Sequence, residues 1–262
     1  MRILLPPSEG KAPRGRARSL SARGLDGPLA DARRAVLEAV SAWCAADSEA
    51  AAQGLGLPPT TARDDLAVNV QALTSGTMPA IERFRGVVFD GLAFATMAAT
   101  ERRVANRTVL IASGAFGLLT AGEPIPDHRV PMAATVPGIG GLTPYWRRHL
   151  EDSIPAMVAS RHLVVDLRSS DYLGAPPVPA SLRRHVLAVR VLTERAAVRT
   201  VVSYSSKLSK GRLARALVSA EAAGHKVRKP ADVATIAVAE GFCVEQGTAV
   251  SGQPTLDLIL AG

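Results

Sequence analysis

Apolar and polar positions alternate in blocks along the 262-residue chain. Ile3-Leu4-Leu5 is an unbroken apolar run stopped by Pro6-Pro7, the pattern of a short buried strand. Asp31–Ala45 keeps Val36, Leu37, Val40 and Trp43 at helical spacing. Thr60–Leu73 and Met78–Arg83 predict two more helices, and Gly86-Val87-Val88-Phe89 predicts a strand. Thr108–Ala112 is a second buried strand, running into the glycine-punctuated turn Ser113-Gly114-Ala115-Phe116-Gly117. Pro124–Met132 is an extended, proline-rich loop. Thr143–Met157 predicts one helix carrying Trp146, and Leu163–Leu167 a third buried strand. Val186–Leu192 and Val198–Tyr204 predict two further strands, Lys207–Gly224 a basic helix, Val233–Ala239 a last helix and Phe242–Glu245 a short strand. Strands alternating with helices argue for an α/β or mixed α+β fold. No boundary interrupts the pattern, so residues 1–262 are read as one domain.

Composition narrows the class. Hydrophobic residues make up 47% of the chain, a globular composition. No apolar run reaches the ~18 residues of a membrane span. Met1–Leu5 leads straight into Pro6-Pro7, unlike a signal peptide, which makes cytoplasmic the expected location and a membrane partner unexpected. Lys plus Arg number 31 against 23 Asp plus Glu, for a net charge of +8. That excess suits a polyanion if the cations cluster on one face. Aromatics are only 4%, a poor supply for stacking single strands. Cys44 and Cys243 lie in apolar surroundings with no CxxC and are expected to be small buried hydrophobes. The five histidines show no HxH or HExxH spacing, so neither a metal nor another cofactor is expected.

Five segments could carry chemistry. Ser8, Glu9 and Lys11 follow the first strand, where ligands gather in open α/β sheets, and Gly10 permits close backbone approach. The segment is a phosphate site or simply a solvated loop; GxxxxGK[ST] is absent. Ser113-Gly114 ends the second buried strand and is either an anion-binding turn or an ordinary one; it is not GxSxG. Prolines stiffen the loop holding Asp127, His128 and Arg129. Asp166-Leu167-Arg168-Ser169-Ser170-Asp171-Tyr172 offers both charge signs at a strand end, with helix capping as the plainer reading. Finally, Lys207, Lys210, Arg212 and Arg215 follow capping serines and form either one basic sector for phosphates or a solvated helix face. Gly211 leaves open two short helices joined by a tight turn there.

Taken in order, these segments resemble the peroxide stress protein YaaA family. The resemblance rests on Ser8 and Lys11; Phe84-Arg85-Gly86 with Phe89 and Gly91-Leu92; Ser113-Gly114, Gly117 and Leu118-Leu119 followed by Pro126, Arg129 and Met132; Tyr145-Trp146; Leu167, Ser169-Ser170, Asp171 and Tyr172; Ser203, Tyr204, Lys207, Gly211 and Arg215; and Glu240-Gly241-Phe242. It implies a compact mixed α/β fold with a basic cleft and a helix-hairpin-helix-like element. It also implies binding of double-stranded DNA, largely independent of sequence, and a role in limiting oxidative DNA damage and free iron. Phosphates would be held by Lys11, Ser113, Lys207, Lys210, Arg212 and Arg215. The alternative is an enzyme acting on a nucleotide, nucleoside or damaged base, with Ser8, Glu9, Lys11, Arg129, Asp171 and Tyr172 as catalytic candidates. The opening Pro-Ser-Glu-Gly-Lys departs from the Ser-Pro-Ala-Lys of better-known members.

Overall fold

In the computed structural model, which describes residues 1–13, 15–160, 162–195, 198–200 and 203–261, the three buried strands of the sequence lie side by side. These are β1 (Arg2–Leu5), β2 (Val109–Ser113) and β4 (Val164–Asp166); β3 (Gly117–Thr120) is the return limb of the Ser113–Gly117 turn. The remaining strands are β5 (Val186–Arg195), β6 (Val198–Thr200), β7 (Cys243–Thr248) and β8 (Pro254–Ala261). Together they form a mixed eight-stranded sheet of order β7-β8-β5-β4-β1-β2-β3, with β6 paired to β5. The central run β8, β5, β4, β1 and β2 is parallel throughout. β3 and β7 close its two edges in antiparallel fashion.

The α-helices of six or more described residues are α1 (Ala30–Ala46), α2 (Ser48–Gly54), α3 (Ala62–Val70), α4 (Val87–Leu92), α5 (Ala99–Thr108), α6 (Leu142–His149), α7 (Ser153–Ala159), α8 (Ser203–Ala222) and α9 (Pro230–Ala239). β1 shows why its sequence is apolar without alternation. Ile3 and Leu5 join the large core, while Leu4 joins a second cluster on the other face with Ile154 of α7, Val164 and Val186. Among the described residues no helix is long and apolar enough to cross a membrane.

Four expectations from the sequence are corrected. Residues 87–92 are helical, because Val88, Phe89, Gly91 and Leu92 are the buried set, and that spacing is helical rather than alternating. The expected helix over Thr143–Met157 is two helices. Pro155 has no N–H to give the carbonyl of Glu151, so the chain restarts at Ser153 with Pro155 in the first turn. The strand expected over Val198–Tyr204 ends at Thr200 and α8 has begun at Ser203, the two positions between lying outside the described residues. Cys44 is buried as expected, but Cys243 is exposed on β7.

Gly211 makes no turn; α8 runs through it as one helix. Its role is close packing. A Cβ on Gly211 would lie 2.1 Å from the Val88 carbonyl oxygen, and one on Gly91 would lie 2.5 Å from the Leu208 carbonyl oxygen. The two helices therefore touch backbone to backbone, and neither position has room for a methyl group. In an exposed helix Gly→Ala is stabilising by about 1 kcal/mol. Here Gly211→Ala is expected to reverse that sign and destabilise by about 1–3 kcal/mol, the range of an overpacked contact. Urea denaturation of the variant measures this, and a variant as stable as the parent would show that the helices separate at little cost.

Candidate functional site

The parallel arrangement sends the carboxyl ends of β1, β2 and β4 to one edge of the sheet, so the segments after them start at the same place. Two further contacts knit them together. Gly114 packs against the Val130 carbonyl and the Met132 amide. The Tyr172 hydroxyl lies close enough to the Met132 backbone and to the Glu9 carboxylate to feel both. The loops 8–11, 113–117 and 169–172 thus converge.

Lys11 lies at the centre. Its Nζ donates to the carbonyl oxygens of Ser8 (3.1 Å) and Glu9 (3.3 Å) and sits 5.3 Å from the Phe84 ring centroid. Burial, reinforced by Arg129 and opposed by Asp127 and Glu9, pushes its pKa down to about 7. The loop is held from both sides: Lys11 bridges to Phe84, the Ala12 amide donates to the Arg83 carbonyl (2.7 Å), and Ser8 Oγ donates to the Arg85 carbonyl. Arg83 is fully buried, and its guanidinium is satisfied by main-chain carbonyls of Ala12 (2.5 Å), Gly76 (3.2 Å) and Ile125 (3.3 Å). Beneath Lys11 lies His128, edge-on to Phe84 and Phe116. Its Nδ1 contacts the Pro126 carbonyl (3.2 Å), which holds the proton on that nitrogen. Burial first, then Lys11, depresses its pKa well below the usual value, so the ring is neutral at pH 7.

The other candidates divide. Arg129 is committed to Asp65 (2.9 Å) and to Asp127. Asn69 fixes its backbone, accepting from the Arg129 amide (2.7 Å) and donating to its carbonyl (3.0 Å). Tyr172 is part-buried, and burial raises its hydroxyl pKa, keeping it a hydrogen-bond donor. Asp171 is exposed, with Ser170 Oγ at 3.1 Å. Ser113 is buried, and its Oγ accepts from the Phe116 amide (3.3 Å), so it stabilises the turn instead of facing a ligand.

The basic helix does not present one cationic sector. Lys210 is part-buried and donates to the Arg168 carbonyl (3.0 Å) just beyond β4; burial lowers its pKa against the pull of Asp166. Lys207, one turn earlier on the same side of α8, is exposed. Arg212 points elsewhere, donating to the Glu240 carbonyl (3.2 Å) with its guanidinium 5.1 Å over the Phe242 ring. Arg215 donates to the Ala93 carbonyl (3.0 Å) and to Thr96 Oγ1 (2.9 Å), tying α8 to the end of α4. Of the set, Lys210 contacts a strand-end loop, with Lys207 one turn before it.

The comparisons agree with the motif order. The peroxide stress protein YaaA family profile matches residues 1–246. The chain belongs to this family. It is 37% identical to a UPF0246 protein of Streptomyces coelicolor over 99% of this chain and 98% of that protein. It is 34% identical to a UPF0246 protein of Corynebacterium glutamicum over 99% of this chain and 100% of that protein. A third UPF0246 protein, from Corynebacterium efficiens, is 33% identical over 94% and 95% of the two chains.

Three residues of this family member's cleft left no motif, Asp65, Asn69 and Arg83, while the two charge signs of the Asp166–Tyr172 segment pair with each other, the Arg168 guanidinium and Asp166 carboxylate meeting at 2.8 Å. Asn69 alone left a signal, a polar residue on the buried side of an otherwise regular helix beside Leu66. Among the described residues no three His, Cys, Asp or Glu side chains are grouped to hold a metal ion.

The shifted lysine links the cleft to stability. Below pH ~7 Lys11 is protonated in both folded and unfolded chains, and the fold bears the full cost of burying the charge. Between about 7 and 10.5 the folded chain has released the proton and the unfolded chain has not, so stability rises with pH. Relative to Lys11→Met, the parent should gain stability from pH 7 to 9 at up to about 1.4 kcal/mol per pH unit. Urea midpoints of both proteins across that range test this, and parallel curves would rule out a low lysine pKa.

Proposed function

We propose that this chain serves the peroxide response by binding double-stranded DNA through its phosphates, largely without regard to base sequence, and so limits oxidative damage to the DNA. One observation carries the reading. Lys11 and Lys210 contact the loops at one edge of the sheet, with exposed Lys207 a helical turn before Lys210, and among the described residues none of the three is in an ion pair. Two arginines at the same edge, Arg129 and Arg168, are neutralised by aspartates. The three lysines offer ammonium, a point charge suited to phosphate oxygens rather than to the bidentate reading of guanine that arginine provides. Protection of DNA also explains a link to peroxide.

A second reading has its own support. The depressed pKa of Lys11, with Glu9 and Tyr172 beside it, suits an enzyme acting on a nucleotide-like molecule. A mononucleotide that competes duplex DNA off the protein and depends on Lys11 would favour it.

For the DNA reading, Lys207→Ala is the direct test, because Lys207 is exposed and its replacement leaves folding within about 0.5 kcal/mol. Affinity for two unrelated duplexes should fall equally. The slope of log affinity against log salt should drop by roughly 0.9 for the lost contact. An unchanged slope would exclude Lys207 from the contact; sequence-dependent losses would argue for base readout.

A further inference from the structure

We propose that Lys11 is a nucleophilic amine that captures the ring-opened aldehyde of an abasic deoxyribose in DNA and cleaves the strand on its 3′ side by β-elimination. The inference rests on the DNA reading above and extends it from holding DNA to acting on a damaged position.

The hydrogen-bond pattern at Nζ is the first ground. Two main-chain carbonyls, of Ser8 and Glu9, accept from it, and no carboxylate lies within ion-pair reach among the described residues. A neutral amine has two hydrogens and one lone pair, so two acceptors satisfy it completely and orient the lone pair away from them. An ammonium would carry a third hydrogen, for which the contacts among the described residues offer the Phe84 ring and no carbonyl or carboxylate. The buried Phe84 ring and the neutral, buried His128 wall off one side from water. A desolvated lysine beside another cation, here Arg129, is the environment that keeps an amine nucleophilic near neutral pH.

The second ground is what surrounds it. The Glu9 carboxylate is adjacent in the loop and acts electrostatically on both Lys11 and Tyr172. Lys210 stands at the end of the neighbouring strand, with Lys207 one turn beyond, available to phosphates flanking a sugar. An intact nucleotide offers a free amine nothing to attack. An abasic sugar offers an aldehyde at C1′, and with no base to unpair it is the cheapest nucleotide to rotate out of a duplex into a recessed site.

The chemistry needs no oxidant, reductant or metal. The Nζ lone pair attacks C1′, and the aldehyde oxygen takes up protons and leaves as water, giving a protonated imine. The Glu9 carboxylate removes a proton from C2′, and that electron pair expels the 3′ oxygen with its phosphate. Water then hydrolyses the imine. The Lys11 amine is regenerated, one fragment ends in an unsaturated aldehyde and the other in a 5′ phosphate.

The test uses the full chain with two duplexes, one intact and one carrying a single abasic site, in the presence of borohydride, which reduces an imine to a stable secondary amine. A covalent adduct is expected with the abasic duplex alone, mapping to the peptide that contains Lys11 and lost in Lys11→Met and Lys11→Arg. Glu9→Gln should still form the adduct while cleaving the strand more slowly. If the lysine variants fail to fold, the peptide map of the parent decides by itself. An adduct at Lys207 or at the amino terminus overturns the proposal, as does no adduct from an abasic duplex that a gel shift shows to be bound. In those cases the shift of the intact duplex leaves the DNA reading standing. Absence of any shift with either duplex, and of any adduct, overturns both.

Discussion

Everything at the candidate site depends on β1 having a parallel neighbour on each side. Parallel hydrogen bonding to β2 through Ile3–Val109 and to β4 through Arg2–Val164 forces all three strands to end on the same edge. Three loops separated by about a hundred residues and by fifty in sequence are thereby delivered to one place. The requirement acts back on the sequence. A strand paired on both sides and covered on both faces has no polar position to spare, and Ile3, Leu4 and Leu5 are all fully buried. Chemistry is therefore excluded from the strand and begins only after Pro6-Pro7.

Burying charge near that edge creates the second constraint, and the chain meets it in two ways. Arg33, Arg129 and Arg168 are paired with carboxylates. Arg83 has no such partner and is satisfied by main-chain carbonyls, which locks the loop after β1 to Gly76 and Ile125. Lys11 is given carbonyls but no counter-ion, so its proton becomes the easiest part of the arrangement to lose. The stability of the loop and the reactivity of the amine come from the same burial. An anion arriving at Nζ would restore the proton, so binding of phosphate and protonation of Lys11 are coupled by necessity.

The contact of α4 with α8 sets the remaining wall. Glycines at 91 and 211 let the helices approach to backbone distance, where Arg215 donates to the carbonyl of Ala93, while Lys210 on the same helix donates to that of Arg168. The helix is thus clamped at both ends of one short span. Arg212 is held separately by the Glu240 carbonyl and the Phe242 ring, and Lys207 on the outer turn is exposed.

The sequence by itself determined the mixed α/β class, the three buried central strands, most helices and, through ordered motifs along the whole chain, the family. These features are written in local periodicity and in which residues stand at strand ends, and local patterns survive without knowledge of partners. It also marked Ser8, Glu9, Lys11, Arg129, Asp171 and Tyr172, because loops following apolar strands are where polar residues have room to act. Tertiary structure alone decided which of the marked residues are free. Ser113 went to a turn and Arg212 and Arg215 to structural carbonyls, while Lys11, read as a phosphate ligand or catalytic candidate, became a part-buried amine of lowered pKa. It also turned Val87–Leu92 into a helix and Gly211 from a possible turn into a packing contact. Each of these outcomes depends on atoms contributed by distant segments. Hydrogen-bond partners, burial and close approach are properties of pairs of residues, and a single chain read in order contains the members of those pairs but not the pairing.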